Sequence, residues 1–498
     1  MKIPAMQGSI ARCILYKGKN PMRILLVKPP PQLLVARRLQ EGFLHLEPLE
    51  LEIVAGGASM DDEVRILDLS FEKDPMLGFE DAVRSMHPDL IGFTGYSSHS
   101  VIVKRMAANA KRINTKILTV VGGTHATIIP ADYAEGCIDL IVRGEGGTAM
   151  REILRRHREG LPLPFGQTVL SPKDPDFALK AAALPPEYPD PKDIPRPRRD
   201  LVDRSRYFCV WTSAPDKRLD TIFPRIASFR TSMGCAFSCL FCVVPHMMRG
   251  KYIQRDPEDV VDELSQLAED HVYFVDDETF LNKDRMTKIA QLLIDRGVRK
   301  KYISWARSDT IVKSPELFRL WKQAGLGVVY VGLEAMVGSR LEKYKKRTNV
   351  DINRKAVKIL RDIGITLHAS LIVDPDFTVE DFRQLEKEVM GLCPAEITFT
   401  VFSPSPGTEL WRQHKDDYIC DPYLFYDCMH TILPTRLDMK LFYRHFARLS
   451  SIALRANPLK VEKVKIPFRE LARVIYRGTK YIFAMRNIYK DYPINNNP

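Results

Sequence analysis

The stretch that decides the fold reads Gly234-Cys235-Ala236-Phe237-Ser238-Cys239-Leu240-Phe241-Cys242. It places three cysteines within eight residues, in the order C-x3-C-x2-C, with an aromatic residue before the last cysteine. A disulfide framework uses an even set of cysteines spread through a small secreted domain, and a structural zinc site needs a fourth ligand at a recognisable spacing. Three thiolates on one loop can instead hold three corners of an iron–sulfur cubane, which leaves one iron open to an outside ligand.

The cysteine stretch also admits two simpler interpretations. The thiols could bind a structural zinc ion completed by His246, or they could be small buried residues, since free cysteine is often buried. The nonapeptide, however, resembles the C-x3-C-x-aromatic-C signature of the radical S-adenosylmethionine (SAM) enzymes. That resemblance implies a [4Fe-4S] cluster on Cys235, Cys239 and Cys242, with the open iron bound by the amino and carboxylate groups of SAM. It also implies that Phe241 presents its backbone to the SAM adenine.

Length and composition indicate a globular protein of two or three domains. The chain has 498 residues, of which 45% are hydrophobic and 27% charged, and one core rarely organises so long a chain. No apolar run reaches the roughly 18 residues of a membrane span, and residues 1–22 lack a signal-peptide core. We therefore expect a cytoplasmic protein, with peripheral contact at the inner membrane left open. Six of the nine cysteines are scattered and are interpreted as packing residues: Cys13, Cys137, Cys209, Cys393, Cys420 and Cys428.

Short apolar runs separated by helical stretches predict a first domain over residues 22–165, after an extension over residues 1–21. The runs fit strands of a parallel sheet covered on both faces, at 23–27, 64–67, 90–94, 117–121 and 140–142. The predicted fold class is therefore α/β, beginning with a doubly wound, Rossmann-like domain. Small or polar turns follow three of these strands, at 95–98, 122–125 and 144–147.

The three turns are expected to meet at the carboxyl edge of the sheet, where glycine lets the backbone approach a large ligand closely. Physical reasoning alone leaves routine turns that bind nothing equally open. The order Lys-Pro-Pro, then 46–51, then Gly122-Gly123-x-His125, then Gly144-Glu145-Gly146 resembles the cobalamin-binding domain that precedes the radical SAM domain in one large subclass. This implies cobalamin contacts from Tyr96, Ser97, Gly122, Gly123, His125, Gly144 and Glu145. The D-x-H-x-x-G motif is absent, so we expect no axial histidine from that motif.

A proline-rich segment over residues 166–222 is interpreted as an extended linker, and a second β/α domain follows over residues 223–425. Its strand candidates predict a partial (β/α)6 barrel, at 225–230, 271–275, 303–306, 328–331, 367–373 and 397–402. In parallel barrels the chemistry lies at the carboxyl ends of the strands. Polar residues there could simply cap helices. Similarity to the radical SAM family instead implies SAM contacts from Asp277, Glu278, Arg307, Glu334 and Pro404.

The C-terminal region, residues 426–498, carries most of the positive charge. Residues 431–498 hold fourteen Lys and Arg against four acids, so +10 of the net +12 lies there. Apolar residues from Phe468 to Tyr489 recur at steps of three and four, with a cationic face of Arg469, Arg473, Arg477 and Lys480, which predicts an amphipathic helix. The helix could pack on the barrel with its basic face in water, or dock on anionic lipid. Nucleic acid is disfavoured as a partner, because no recognised binding module is present.

The two resemblances together imply a cobalamin-dependent (class B) radical SAM C-methyltransferase, most similar to the hopanoid C-3 methylases. Such an enzyme would methylate an unactivated carbon of a small-molecule or lipid-like substrate by means of a 5′-deoxyadenosyl radical and methylcobalamin. A flavodoxin or ferredoxin is the expected electron donor. Two alternatives stay open: a radical SAM cyclase or ring-forming enzyme acting on a tetrapyrrole or lipid without methyl transfer, and a non-catalytic cobalamin or iron–sulfur sensor. No catalytic residue is predicted.

Overall fold

The structure is a computed structural model that describes residues 21–186, 188–392, 394, 396–456 and 464–493, and the side chains of 453–456 are not considered. All but one residue of the predicted N-terminal extension lies outside the described residues, as do Cys13 and Cys393.

The first domain is a mostly parallel sheet with helices on both faces, which confirms the doubly wound prediction. The strands in the first 170 residues are β1 (Arg23–Lys28), β2 (Leu44–His45), β3 (Glu63–Asp68), β4 (Leu90–Phe93), β5 (Leu118–Val121), β6 (Leu140–Val142) and β7 (Val169–Leu170). All of them except β2 form the sheet, in the order β3-β1-β4-β5-β6-β7. The helices are α1 (Leu34–Gly42), α2 (Leu49–Ala55), α3 (Pro75–Met86), α4 (Ser100–Ile113), α5 (Thr124–Ile128), α6 (Gly146–Glu159) and α7 (Phe177–Ala182). Alternate residues of β1 enter different cores, Leu25 and Val27 one and Ile24 and Leu26 the other, because successive side chains of a strand point to opposite faces.

The segment predicted as a linker is more structured than its prolines indicate. Strand β7 pairs antiparallel with β6, so the first sheet extends beyond the predicted boundary at residue 165. Strand β8 (Phe208–Cys209) pairs antiparallel with β2. Farther on, Trp211, Ile222 and Phe223 are buried in one cluster with the barrel residues Tyr273 and Val328. The linker therefore fills the inner face of the second domain.

A buried carboxylate joins the first domain, the linker and the barrel. The Glu47 side chain is fully buried and accepts hydrogen bonds from Arg199, Arg204 and the backbone N–H of Ser228, each at 2.5 to 2.6 Å. Arg204 also contacts Glu269 of the barrel at 2.6 Å. A buried charge requires such pairing. These contacts fix the relative position of the two domains.

The second domain contains a six-stranded, all-parallel sheet in the order β16-β15-β14-β13-β12-β9, which confirms the partial barrel. Its strands are β9 (Ile226–Phe229), β10 (Ser232–Gly234), β11 (Tyr252–Gln254), β12 (His271–Phe274), β13 (Lys301–Arg307), β14 (Leu326–Glu334), β15 (Thr366–Val373) and β16 (Glu396–Val401). Its helices are α8 (Val244–Met247), α9 (Pro257–Gln266), α10 (Lys283–Asp295), α11 (Ser308–Lys313), α12 (Pro315–Ala324), α13 (Gly338–Lys343), α14 (Val350–Ile363), α15 (Val379–Leu392) and α16 (Glu409–Gln413). Strands β10 and β11 form a separate antiparallel hairpin that the sequence did not reveal.

Two long helices complete the fold, α17 (Met439–Ala456) and α18 (Phe468–Arg486). Helix α18 packs against both α17 and α1. It therefore spans from the barrel to the first domain. Within the described ranges, no helix is both long enough and apolar enough to cross a bilayer.

A buried histidine ties the chain end to the loop after β16. The ring of His430 is fully buried, with Nδ1 2.9 Å from Asp427 and Nε2 3.1 Å from Asp491, and these carboxylates raise its pKa to about 9 against burial. A raised folded pKa stabilises the fold below the ordinary value of 6.5, and this contribution is lost as the pH rises to about 9. We expect the free energy of unfolding to fall over this range by on the order of 2 kcal/mol more in the native protein than in His430→Asn. Denaturant unfolding at both pH values measures this, and parallel profiles would contradict it.

Candidate active site

The cysteine loop begins at a turn that requires glycine. Gly234 ends β10 with φ at +87°, and a Cβ there would lie 2.1 Å from the carbonyl oxygen of Lys251, the residue directly before the facing strand β11. Only glycine avoids both the left-handed strain and the collision. The hairpin can therefore project residues 235–242 as a tight loop.

Groups at or near the carboxyl ends of three barrel strands, and one group directly after α13, hold this loop. Asp277, after β12, accepts a hydrogen bond from the backbone N–H of Gly234 at 2.8 Å. Arg307, at the end of β13, donates to the Cys239 sulfur at 3.5 Å, and the Tyr344 carbonyl accepts from the Leu240 N–H at 3.3 Å. Ser405, after β16, donates to the carbonyl of Phe241 at 2.6 Å. The sheet therefore brings residues far apart in sequence onto one loop, as the barrel rule predicts.

The three loop cysteines suit a cluster better than a single ion. Cys235, Cys239 and Cys242 are free and half-buried, so they remain open to a ligand. In the part of the chain that the structure describes, no three His, Cys, Asp or Glu side chains converge on one metal ion. Cysteines that bind separate irons of one cluster do not need to converge in this way. Burial raises the pKa of Cys235 to about 11 and that of Cys242 to about 12, so binding of iron would have to displace protons from these thiols.

The residues expected to contact SAM surround this loop and differ in their own contacts. Glu278 is buried and accepts from the Arg307 backbone N–H at 2.9 Å, while its other oxygen is buried without a hydrogen-bond partner among the described residues. Burial raises the pKa of Glu278 to about 7. Asp277 instead faces the large cavity described below. Glu278 therefore keeps acceptor capacity that the protein itself does not use.

Glu334 and Pro404 lie at the ends of strands β14 and β16. Glu334 has a left-handed backbone at φ +59° and pairs with Lys346, whose ammonium also donates to the Gly332 carbonyl at 2.6 Å. A left-handed backbone in a residue other than glycine is strained, and such strain concentrates at functional sites. Pro404 is buried, and its neighbour Ser405 makes the contact with the cysteine loop.

A cavity of about 830 Å³ lies between the two domains. Its first-domain wall includes six of the seven residues expected to contact cobalamin: Tyr96, Ser97, Gly122, Gly123, Gly144 and Glu145. Its second-domain wall includes five residues that flank the cysteine loop, Met233, Val243, Val244, Met247 and Met248, together with Arg230, Asp277, Ser405, Tyr426 and Cys428. Gly123 has φ at +94°, and a Cβ there would lie 2.9 Å from the backbone of Gly95. The glycine turns thus keep backbone, without side chains, at the cavity edge, as a large flat ligand requires.

Two of the residues predicted to contact cobalamin have other roles in the structure. His125 does not line the cavity, because its fully buried ring lies 3.0 Å from the Ser97 hydroxyl and 2.9 Å from Asp132. Glu145 borders the cavity, but its carboxylate caps α6 by accepting from the backbone N–H groups of Gly147 and Thr148 at 2.6 and 2.7 Å. Each thus supports a turn from its own domain, and capping is a common role for an acid at this position.

Several cavity residues were missed from the sequence. Cys428, interpreted as a packing residue, lines the cavity with a left-handed backbone at φ +65°, and surrounding protein raises its pKa to about 11. Tyr188 reaches the cavity from the supposed linker. His99 lines it as a neutral ring, because burial lowers its pKa to about 4, and its Nδ1 accepts from the Tyr96 N–H at 3.2 Å. His99 directly follows the predicted turn at 95–98, so of these three residues only Cys428 and Tyr188 lacked a local signal.

The hairpin geometry yields a direct prediction for Gly234→Ala. The added methyl group would meet the Lys251 carbonyl at 2.1 Å in a left-handed conformation, and strain of this kind costs about 1–3 kcal/mol before the collision is counted. We expect iron bound after anaerobic reconstitution to fall severalfold. Gly250→Ala is the matched control, since Gly250 has φ +70° but nothing within 4 Å of an added Cβ. Equal iron loss in both variants would contradict the collision as the cause.

Two family models match successive parts of the chain. The B12 binding domain matches residues 42–154, and the Radical SAM superfamily matches residues 229–389. Together these matches cover just over half of the chain, and they coincide with the glycine turns and the cysteine loop. They identify the chain as one that combines a cobalamin site with a [4Fe-4S] cluster and SAM.

Similar proteins align over two thirds or more of the chain. The hopanoid C-3 methylase of Methylococcus capsulatus is 29% identical over 437 residues, which cover 86% of this chain and 80% of that protein. An anaerobic magnesium-protoporphyrin IX monomethyl ester cyclase of Rubrivivax gelatinosus is 28% identical over 352 residues, covering 68% and 61%. The structure of OxsB, a cobalamin-dependent SAM radical enzyme with aqua-cobalamin and SAM bound, aligns with a TM-score of 0.66 at 14% identity, over 94% of this chain and 72% of that one. The chain belongs to the cobalamin-dependent radical SAM enzymes.

Proposed function

We propose that the protein is a C-methyltransferase that acts on an unactivated carbon of a lipid-like substrate. The observation that carries the proposal is the position of the 830 Å³ cavity between the glycine turns of the first domain and the flanks of the cysteine loop. When bound, the cluster with SAM supplies a carbon-centred radical and cobalamin supplies a methyl group. A substrate carbon in this cavity would face both.

The lining of the cavity supports an apolar substrate. On the barrel side its wall contains several Met and Val side chains, from Met233 and from the segment 243–248, beside polar groups such as Arg230, Asp277 and Tyr426. Methionine adapts to irregular apolar shapes, which suits a bulky hydrocarbon. The similarity to a protein named hopanoid C-3 methylase supports a lipid-like substrate, such as a hopanoid.

Within this proposal the chain's own residues position SAM and exclude water. Cys235, Cys239 and Cys242 would hold the cluster, and Glu278, with one unpartnered buried oxygen, would accept from the SAM ammonium group. The remaining contacts proposed for SAM are Phe241, Asp277, Arg307, Glu334 and Pro404. The contacts proposed for cobalamin are Tyr96, Ser97, Gly122, Gly123 and Gly144, with His125 and Glu145 as supports of the turns.

An external reductant completes the proposal. A flavodoxin or ferredoxin is the proposed one-electron donor, and the partial exposure of the three cysteines supports an approach from the surface. We also propose that the protein works at the inner face of a membrane, where a lipid substrate resides.

The experiment that tests this function uses anaerobically purified holoprotein, a reductant, SAM and a hopanoid-containing lipid extract. We expect 5′-deoxyadenosine together with a lipid product heavier by one methylene unit. The cyclase alternative is favoured by the similarity to a magnesium-protoporphyrin IX monomethyl ester cyclase, and it predicts an oxidised product without added carbon. Absence of 5′-deoxyadenosine despite an intact cluster would contradict both enzymes and favour a sensor.

A further inference from the structure

Helix α18 turns its large apolar side chains outward. Phe468, Leu471, Ile475, Tyr476 and Phe483 are 84%, 44%, 58%, 61% and 68% exposed. At 3.6 residues per turn these five positions fall within an arc of about 140° on one side of the helix. A surface helix normally buries such a stripe. The first half of α18 is therefore oriented opposite to the packing alternative, in which the basic face lies in water and the apolar face is buried.

Specific polar contacts hold α18 in this orientation. Glu470 is buried and accepts from the Ile222 backbone N–H at 3.0 Å and the Thr221 hydroxyl at 2.9 Å. Arg473 pairs with Glu470 at 2.8 Å. Arg477 donates to the Gly42 carbonyl at 3.2 Å and lies 4.4 Å from the centre of the Phe223 ring. Two arginines of the predicted cationic face are thus used for packing, and this packing leaves the apolar side in solvent.

The charges around the exposed stripe select the kind of partner. Arg469, Lys480 and Arg486 are exposed on or beside it. The only acids among described residues 464–493 are Glu470, which faces inward, and Asp491, which pairs with His430. An anionic bilayer surface offers negative headgroups to the basic residues and an apolar boundary to the aromatic ones.

We propose that the outward face of α18 binds the surface of an anionic lipid bilayer, with Phe468, Ile475 and Phe483 inserted at the boundary between headgroups and acyl chains. The inference deepens the proposed function and rests on it only in linking the membrane to the substrate. Binding through α18 would hold the enzyme at the phase in which a lipid substrate is dissolved. Because α18 contacts α1 of the first domain and α17 beside the barrel, its binding would orient both domains relative to the membrane.

Flotation of the full-length holoprotein with lipid vesicles tests the proposal. We expect the native protein to float with vesicles that contain phosphatidylglycerol and to stay unbound with phosphatidylcholine alone. The triple variant F468S/I475S/F483S should reduce flotation roughly tenfold. The matched control is M60S/L179S, which removes two side chains that are 75% and 76% exposed in the first domain, and it should float like the native protein.

Other outcomes would overturn the inference. Flotation of the triple variant equal to that of the native protein would do so, as would a native protein that ignores anionic vesicles. If light scattering gives the mass of a dimer for the native protein and of a monomer for the triple variant, the face binds a second copy of the chain instead. Formation of 5′-deoxyadenosine should be unchanged in the triple variant, which also shows that it is folded. Failure to find a methylated product would leave the flotation result intact, so the two proposals fail separately.

Discussion

Cys239→Ala is expected to remove the iron–sulfur cluster and all SAM cleavage while leaving the protein folded. Cys239 is half-buried on a loop, and its described contact is the hydrogen bond from Arg307 at 3.5 Å, so its loss costs the fold little. The variant leaves the cluster with two of its three protein ligands, and the loop contains no fourth cysteine that could replace the third. Iron content, visible absorbance and 5′-deoxyadenosine formation after anaerobic reconstitution measure the effect, which should be a loss to background.

A second cysteine provides the control for this variant. Cys137 lies in the first domain, is also half-buried and donates weakly to the Lys104 carbonyl at 3.8 Å. Cys137→Ala should keep full iron content and normal SAM cleavage. Normal SAM cleavage in Cys239→Ala would refute the cluster assignment.

Gly122→Phe should block cobalamin binding and methyl transfer while sparing the cluster. Gly122 lines the cavity, and an added Cβ would meet its nearest neighbour, Val142, at an ordinary 3.7 Å. The backbone there can accept a side chain, and the aromatic ring would then occupy space at the cavity wall. We expect bound cobalamin, measured by absorbance after gel filtration, to fall by roughly a hundredfold, because a ring that overlaps the ligand forfeits several kcal/mol of contact.

The control keeps the chemistry of the substitution and changes its place. Gly136 lies in the same domain with nothing within 4 Å of an added Cβ, so Gly136→Phe should bind cobalamin normally. Both variants should retain the iron of the native protein, since the cysteine loop lies in the other domain. Full cobalamin binding by Gly122→Phe would contradict the placement of the corrin ring against these turns.

The parallel strands of both sheets could be predicted because each is a short apolar run followed by a turn, whereas the antiparallel β7 was not predicted. The hairpin of β10 and β11 could not, since its strands have three residues each and depend on the turn at Gly234. The packing of the linker could not be predicted for a related reason. Its prolines indicate an extended chain, but the burial of Trp211 depends on the barrel interior that it fills. The local sequence pattern thus predicts the positions of the parallel strands, whereas tertiary packing determines the structure of the segments that connect them.

The site shows the same division. The cysteine loop and the strand-end residues Asp277 and Arg307 were predicted, and the structure brings them into contact. The cavity position of Cys428 could not be read from the sequence, because a lone cysteine carries no pattern. The sequence left open which face of α18 is buried, because hydrophobic periodicity takes no account of the contacts of Glu470 with residues 221 and 222.

We propose that one active site uses SAM twice, as the source of the 5′-deoxyadenosyl radical and as the original donor of the methyl group that cobalamin would supply. The most direct test is an anaerobic reaction with SAM that carries a fully deuterated methyl group, with quantification of 5′-deoxyadenosine, S-adenosylhomocysteine and lipid product. We expect equal amounts of 5′-deoxyadenosine and S-adenosylhomocysteine, and a lipid that carries the intact deuterated methyl group. Formation of 5′-deoxyadenosine with a modified lipid that lacks the label would contradict this proposal.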